Sequence, residues 1–91
     1  MNKSELVAEV AERTGLPKKD TDQILSAAFE AITEAMEAGE RVQIAGFGVF
    51  DVKERAERIG RNPRTKEEIR IKSSRIPVFR AGKSLREVID K

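Results

Sequence analysis

An α+β fold is predicted, with an N-terminal helical hairpin, a three-stranded antiparallel sheet bearing a long protruding β-ribbon arm, and a short C-terminal helix. Three observations predict it. The spacing of apolar residues is helical up to Gly39 and changes to a period of two at Arg41. Residues 53–75 then carry nine basic and four acidic side chains, with Ile59, Ile69 and Ile71 as their large apolar residues, so this stretch projects from a core and cannot build one. Finally, 91 residues and 10.2 kDa supply one small domain and not two independent cores.

The first helix is read from Leu6, Val7, Val10, Ala11 and Thr14 on one face, opened by Asn2 with Glu5 as a capping box and stopped by Gly15. Pro17 opens the second, whose stripe is Ile24, Leu25, Ala28, Phe29, Ile32, Ala35 and Met36, ended by Gly39. Two amphipathic helices joined by so few residues form a hairpin. Val42 and Ile44 alternate as a first strand, Gly46-Phe47-Gly48 turns the chain, and Val49, Phe50 and Val52 continue as a second. No helix bearing Lys-Ser or Lys-Thr follows those glycines, so they mark a turn and not a phosphate loop. In the basic stretch, Asn62-Pro63-Arg64-Thr65-Lys66 is a turn signal between two extended runs. Pairing Ile59 with Ile69 sets Arg61 opposite Glu67 and Arg58 opposite Arg70, and gathers the isoleucines on one face. Ile76, Val78 and Phe79 return to the core with Pro77 at an edge, and a final helix over 82–90 turns Leu85, Val88 and Ile89 inward. The organisation expected is one domain over 1–91, comprising a dimerisation body (1–52 and 76–91) and an arm (53–75).

Composition narrows the function. Without Cys, His or Tyr, the chain lacks thiol nucleophiles, disulfides, the commonest metal ligands and the usual general base. No catalytic residue, metal ligand or cofactor site is assigned, and an enzyme or a small-molecule substrate is not expected. No run approaches the roughly 18 apolar residues of a membrane span, and no apolar signal region follows Met1, so a soluble, cytoplasmic protein is expected. The net charge of +2 conceals a division: residues 1–52 hold five basic against ten acidic side chains, and residues 53–91 hold thirteen against six. A half-chain of that charge repels itself until a polyanion compensates it. The arm lacks the apolar anchors of a membrane-surface module, and it has no aromatic platform on which single-stranded bases would stack. Duplex binding through charge and shape is favoured over single-strand or sequence-coded recognition, the alternatives being a solvated charged surface interleaved with Glu54, Glu57, Glu67 and Glu68 or a membrane-surface or protein-interaction module. Ten residues per strand reach about 33 Å, close to one turn of B-DNA. Arginine guanidinium suits phosphates and a narrow minor groove, and the rigid Pro63 ring at the tip can wedge between base pairs.

Gly46-Phe47, Phe50, Arg55, Arg58, Gly60, Asn62-Pro63 and Thr65 at these spacings, with Asn2-Lys3-Ser4-Glu5-Leu6 before them and Phe79 and Gly82-Lys83 after, carry a resemblance over essentially the whole chain. The chain resembles the bacterial HU and integration host factor family of histone-like DNA-bending proteins, in particular its HU type. The resemblance implies an intertwined homodimer whose two arms embrace DNA through the minor groove, bending and compacting it in the nucleoid. It implies that Arg55, Arg58 and Arg61 contact DNA and that Pro63 intercalates. It also implies that Phe47, Phe50 and Phe79 fill the dimer core, to which Phe29 is assigned as well. The full set of expected DNA contacts adds Lys53, Asn62, Arg64, Lys66, Arg70, Lys72 and Arg75 on the arm, and Lys3, Arg80 and Lys83 on the body. The chain departs from the family pattern at Lys66, where Gly is common, and at Lys72 and Ala81, where Pro is common. The alternative is an integration-host-factor-like subunit that prefers sites by DNA deformability.

Overall fold

The computed structural model describes all residues, 1–91. The elements run α1 (Lys3–Thr14), α2 (Lys18–Glu37), β1 (Val42–Ile44), β2 (Gly48–Arg55), β3 (Arg58–Arg61), β4 (Glu68–Ile71), β5 (Ser74–Ala81) and α3 (Lys83–Ile89). This is the expected α+β order. The residues group into two compact units, Met1–Glu34 and Ala35–Lys91, described in turn.

In the first unit, α1 begins where the Asn2 side chain accepts from the Glu5 amide at 2.9 Å. It stops at Gly15, whose φ of 73° is the left-handed conformation that lets its amide return to the Ala11 carbonyl. Pro17 stands one position outside α2, where its carbonyl accepts the first helical bond from Thr21. Val7, Ala11 and Thr21 are the buried side chains, and the Thr21 hydroxyl is satisfied by the Pro17 carbonyl at 3.0 Å. The rest of the predicted α2 stripe is less covered: Leu25 and Ile32 are half-buried, while Ile24 and Phe29 are exposed.

The second unit begins with the last turn of α2, closed by hydrogen bonds from Gly39 to Met36 and from Glu40 to Ala35. These are the two bonds of a Schellman motif. The sheet order is β1-β2-β5, all antiparallel, so Pro77 does lie on an edge strand. Alternation places Val42, Ile44, Phe50, Val52, Pro77 and Phe79 on one face. Phe50 pairs with Phe79 across the strands at a centroid distance of 4.8 Å, and Phe47 lies 5.3 Å from Phe79. Gly48 is buried beneath them. A Cβ there would stand 2.5 Å from the Arg80 carbonyl and 2.6 Å from the Phe79 ring, so the strands reach this spacing only with glycine.

Beyond Arg55↔Ser74 pairing lapses for two residues on each strand, then resumes in a separate β3–β4 ribbon at Arg58↔Ile71. Because each strand skips the same number, the register of the ribbon continues that of the sheet. Two expectations are corrected. Ile59 pairs with Arg70, Gly60 with Ile69 and Arg61 with Glu68, one residue out from the predicted register. The cause is the tip: Lys66 adopts φ 61° and donates its amide to the Asn62 carbonyl, so four residues separate the paired Asn62 and Glu67. A one-residue slip exchanges faces, and Ile59 accordingly lies opposite in face to Ile69 and Ile71. The second correction concerns α3, where Leu85 is half-buried but Val88 and Ile89 are 61% and 77% exposed. One chain provides nothing for these two residues to pack on.

Candidate nucleic-acid interface

The ribbon owes its form to its sequence. Its tip is an Asx turn in which Asn62 Oδ1 accepts from the Arg64 amide at 2.9 Å, reinforced by the Thr65 hydroxyl accepting from the Glu67 amide at 3.3 Å. Asn62 is therefore a turn former first. Lys66 sits in the left-handed region, which costs a non-glycine residue about 1–2 kcal/mol. Opposite the tip, Ile71 lies over Gly60, where an added Cβ would approach its Cδ1 to 3.0 Å.

Alternation along the common register distributes the predicted contacts over both faces. In the ribbon Arg61 and Arg70 share one face and Arg58 lies on the other; in the sheet Lys53 and Arg55 share one face and Arg75 lies on the other. A spacing of three along β3 puts Arg58 and Arg61 on opposite sides of the ribbon. Pro63, Arg64 and Lys66 form the exposed tip, and Lys72 lies in the gap between β4 and β5. Among the nine basic side chains of 53–75, Arg70 is ion-paired to Glu57 at 2.7 Å, and Arg75 donates to two backbone carbonyls. The other seven have neither an ion pair nor a side-chain hydrogen bond.

The body residues are differently engaged. Lys3 Nζ donates to the Ser26 hydroxyl at 2.8 Å, with Asp22 at 3.8 Å, and Lys83 lies 3.8 Å from Glu87 one turn along α3. Arg80 is held by Asp51, together with Arg41, which sequence reasoning left out. Asp51 Oδ2 is 3.3 Å from Nη2 of each arginine. The link was legible only through the β1–β2 register, which, continued one residue beyond the pair Val42↔Phe50, brings Arg41 opposite Asp51. The Val52 amide donates to Asp51 Oδ1 at 2.8 Å and, with the two guanidiniums, holds the Asp51 carboxyl below its ordinary value against a partial desolvation that pushes the other way.

A lowered folded-state pKa means that the unfolded chain binds the proton more tightly. The stabilisation is therefore present above the unfolded value of about 3.8 and is lost as pH falls through the folded one. Asp51→Asn is expected to be less stable than the parent at pH 7 and to lose less on acidification below pH ~4. Urea unfolding of both proteins at a series of pH values checks this; parallel profiles would show that Asp51 carries no linkage.

The model of the family described as "Bacterial DNA-binding protein" matches residues 1–90. The chain belongs to this family. Among curated members, it is 50% identical to the DNA-binding protein HU of Clostridium pasteurianum over 91 residues, covering all of both chains. It is 51% identical to that of Geobacillus stearothermophilus over 89 residues, covering 98% of this chain and 99% of the other. Among solved structures, a cocrystal of Anabaena HU with DNA superposes with a TM-score of 0.89 at 48% identity, over 99% of this chain and 98% of that one. HU from Thermotoga maritima superposes with a TM-score of 0.73 at 38% identity, over 99% and 100%. The family shares this α+β architecture, and its described function accords with the charge of the ribbon. No helix of the chain is long and apolar enough to cross a membrane.

Proposed function

We propose that this protein is a histone-like architectural factor: a homodimer that binds duplex DNA through the minor groove with little sequence preference, bends it and compacts it within the nucleoid. The observation that carries this reading is the basic stretch of 53–75, seven of whose cations are unpaired and lie along β2, the β3–β4 ribbon, its tip and the gap before β5. Unpaired cations release the counterions of DNA at no cost in internal ion pairs. The arm has no base-reading set, since its one side-chain amide, Asn62, is committed to the turn. Pro63 at the exposed tip is the wedge between base pairs. The solved Anabaena relative was crystallised with DNA, and the curated relatives of about 50% identity are named HU, which favours this reading over a site-preferring subunit. Titration of labelled intact duplexes of unrelated sequence and of single strands, at two salt concentrations, tests it. Equal, steeply salt-dependent duplex affinities are expected; preference for single strands or for one sequence would refute it.

The homodimer rests on what a single chain leaves uncovered. Val7 and Ala11 are its only buried hydrophobic side chains, while Phe29, Phe47 and Phe79 are each more than 40% exposed, along with Ile24, Val88 and Ile89. A second copy is the partner always present to cover them, placing Phe29, Phe47, Phe50 and Phe79 in a shared core built from 1–52 and 76–91. Thermal unfolding is then coupled to dissociation, and its midpoint is expected to rise with protein concentration. A midpoint constant over a hundredfold dilution, with a monomer mass by sedimentation, would exclude the dimer.

A further inference from the structure

Arg75 belongs to the basic stretch, yet its guanidinium is committed elsewhere. Nη2 donates to the Met36 carbonyl at 3.1 Å and to the Glu37 carbonyl at 3.0 Å, 39 and 38 residues away in sequence. Both carbonyls are in the last turn of α2, which has no basic residue of its own. The negative end of this 20-residue helix is thus met by a cation supplied from a strand. The Schellman bonds of Gly39 and Glu40 close the same turn, so Arg75 completes the satisfaction of its carbonyls. Along the strand, Arg75 pairs with Glu54, one position before the last pair of the sheet, Arg55↔Ser74. Immediately beyond lies the two-residue lapse in pairing that separates sheet from ribbon. A segment with unpaired backbone on both strands is the point of least resistance to bending.

We propose that Arg75 is a positioning residue and not a DNA contact: it fastens the root of the arm to the C-terminus of α2, at the lapse in strand pairing, and so limits the directions in which the arm can swing. This rests on the arm being the DNA-binding element. It assigns Arg75 a role distinct from that of Arg61, although both are arginines of the same basic stretch. A phosphate could recruit the Arg75 guanidinium only by breaking its bonds to both carbonyls and uncovering that of Glu37, the Met36 carbonyl keeping its bond from Gly39, whereas the Arg61 side chain has no bond to lose.

Arg75→Gln and Arg75→Lys are compared with the parent protein and with Arg61→Ala, in three measurements. In the free protein, hydrogen exchange of the Gly39 and Glu40 amides in Arg75→Gln is expected to quicken about tenfold as the helix end frays. The ¹⁵N order parameters of the β3 and β4 amides are expected to fall, with Arg75→Lys intermediate in both because it restores a cation with donors. On duplex DNA, the slope of log affinity against log salt should stay at the parent value for Arg75→Gln, while Arg61→Ala reduces it by up to about one unit. A slope reduced by about one unit in Arg75→Gln overturns the proposal, because the charge then lies on a phosphate. Arm order parameters that match the parent in both variants also overturn it. If the parent itself fails to bind duplex DNA, the proposed function falls, while the exchange and order-parameter measurements still decide whether Arg75 fastens the arm.

Discussion

Gly48→Ala is expected to lose at least about 3 kcal/mol, most of what a core of this size supplies. The new methyl carbon would stand 2.5 Å from the Arg80 carbonyl, and that obstacle is backbone, not the movable end of a side chain. Relief requires β2 and β5 to part at the pair Gly48↔Ala81, or the Phe79 ring to leave its contacts with Phe47 and Phe50. Either route opens the cluster assigned to the dimer core, so the cost exceeds that of ordinary overpacking. For a domain of this length, about 3 kcal/mol corresponds to a fall of roughly 12–24 °C in the unfolding midpoint at fixed protein concentration. Gly15→Ala is the control. Gly15 has φ 73° and open space around the position of a Cβ, so only backbone strain of about 1–2 kcal/mol applies. Circular dichroism melts of the two variants should separate widely; near-equal midpoints would mean that the close approach at Gly48 is not what holds the sheet.

The second large effect distinguishes charge from wedge on the arm. Arg55→Ala, Arg58→Ala and Arg61→Ala should each weaken binding to all duplexes alike and lower the salt slope by up to about one unit. Since Arg58 and Arg61 lie on opposite faces of β3, equal losses at these two would place the ribbon between two groove walls. A loss confined to one of these two would mean that one face of the ribbon lies flat against the backbone. Arg70→Ala should cost less, because Glu57 already pairs with this side chain at 2.7 Å. Pro63→Ala removes no charge, so its salt slope should be that of the parent, while the bend shrinks as the opened base step loses the inserted ring. Energy transfer across an end-labelled duplex reports the bend, with affinity measured on the same samples. An unchanged bend in Pro63→Ala, together with unchanged slopes in the arginine variants, would remove the arm from the mechanism.

Features governed by near neighbours in the chain are legible in the sequence. The Asn2 cap, the Gly15 and Gly39 stops, the turn around Gly46, the edge position of Pro77 and the existence of a basic ribbon all follow from spacings of a few residues, where propensity and hydrogen-bond reach are local. The ribbon register is not legible there, because it depends on how many residues the tip turn consumes. A left-handed Lys66 shifts it by one and carries Ile59 to the other face. Nor does the chain alone announce that Asp51 holds Arg80 and Arg41, or that Arg75 serves the end of α2, since each partnership joins residues that only strand pairing or tertiary packing brings together. Charge composition gave the arm its excess of cations, on which the proposed polyanion partner rests. Tertiary structure decided which of those cations are free to meet it, because a guanidinium already bonded to a carboxylate or to helix carbonyls must surrender that bond before it can take a phosphate.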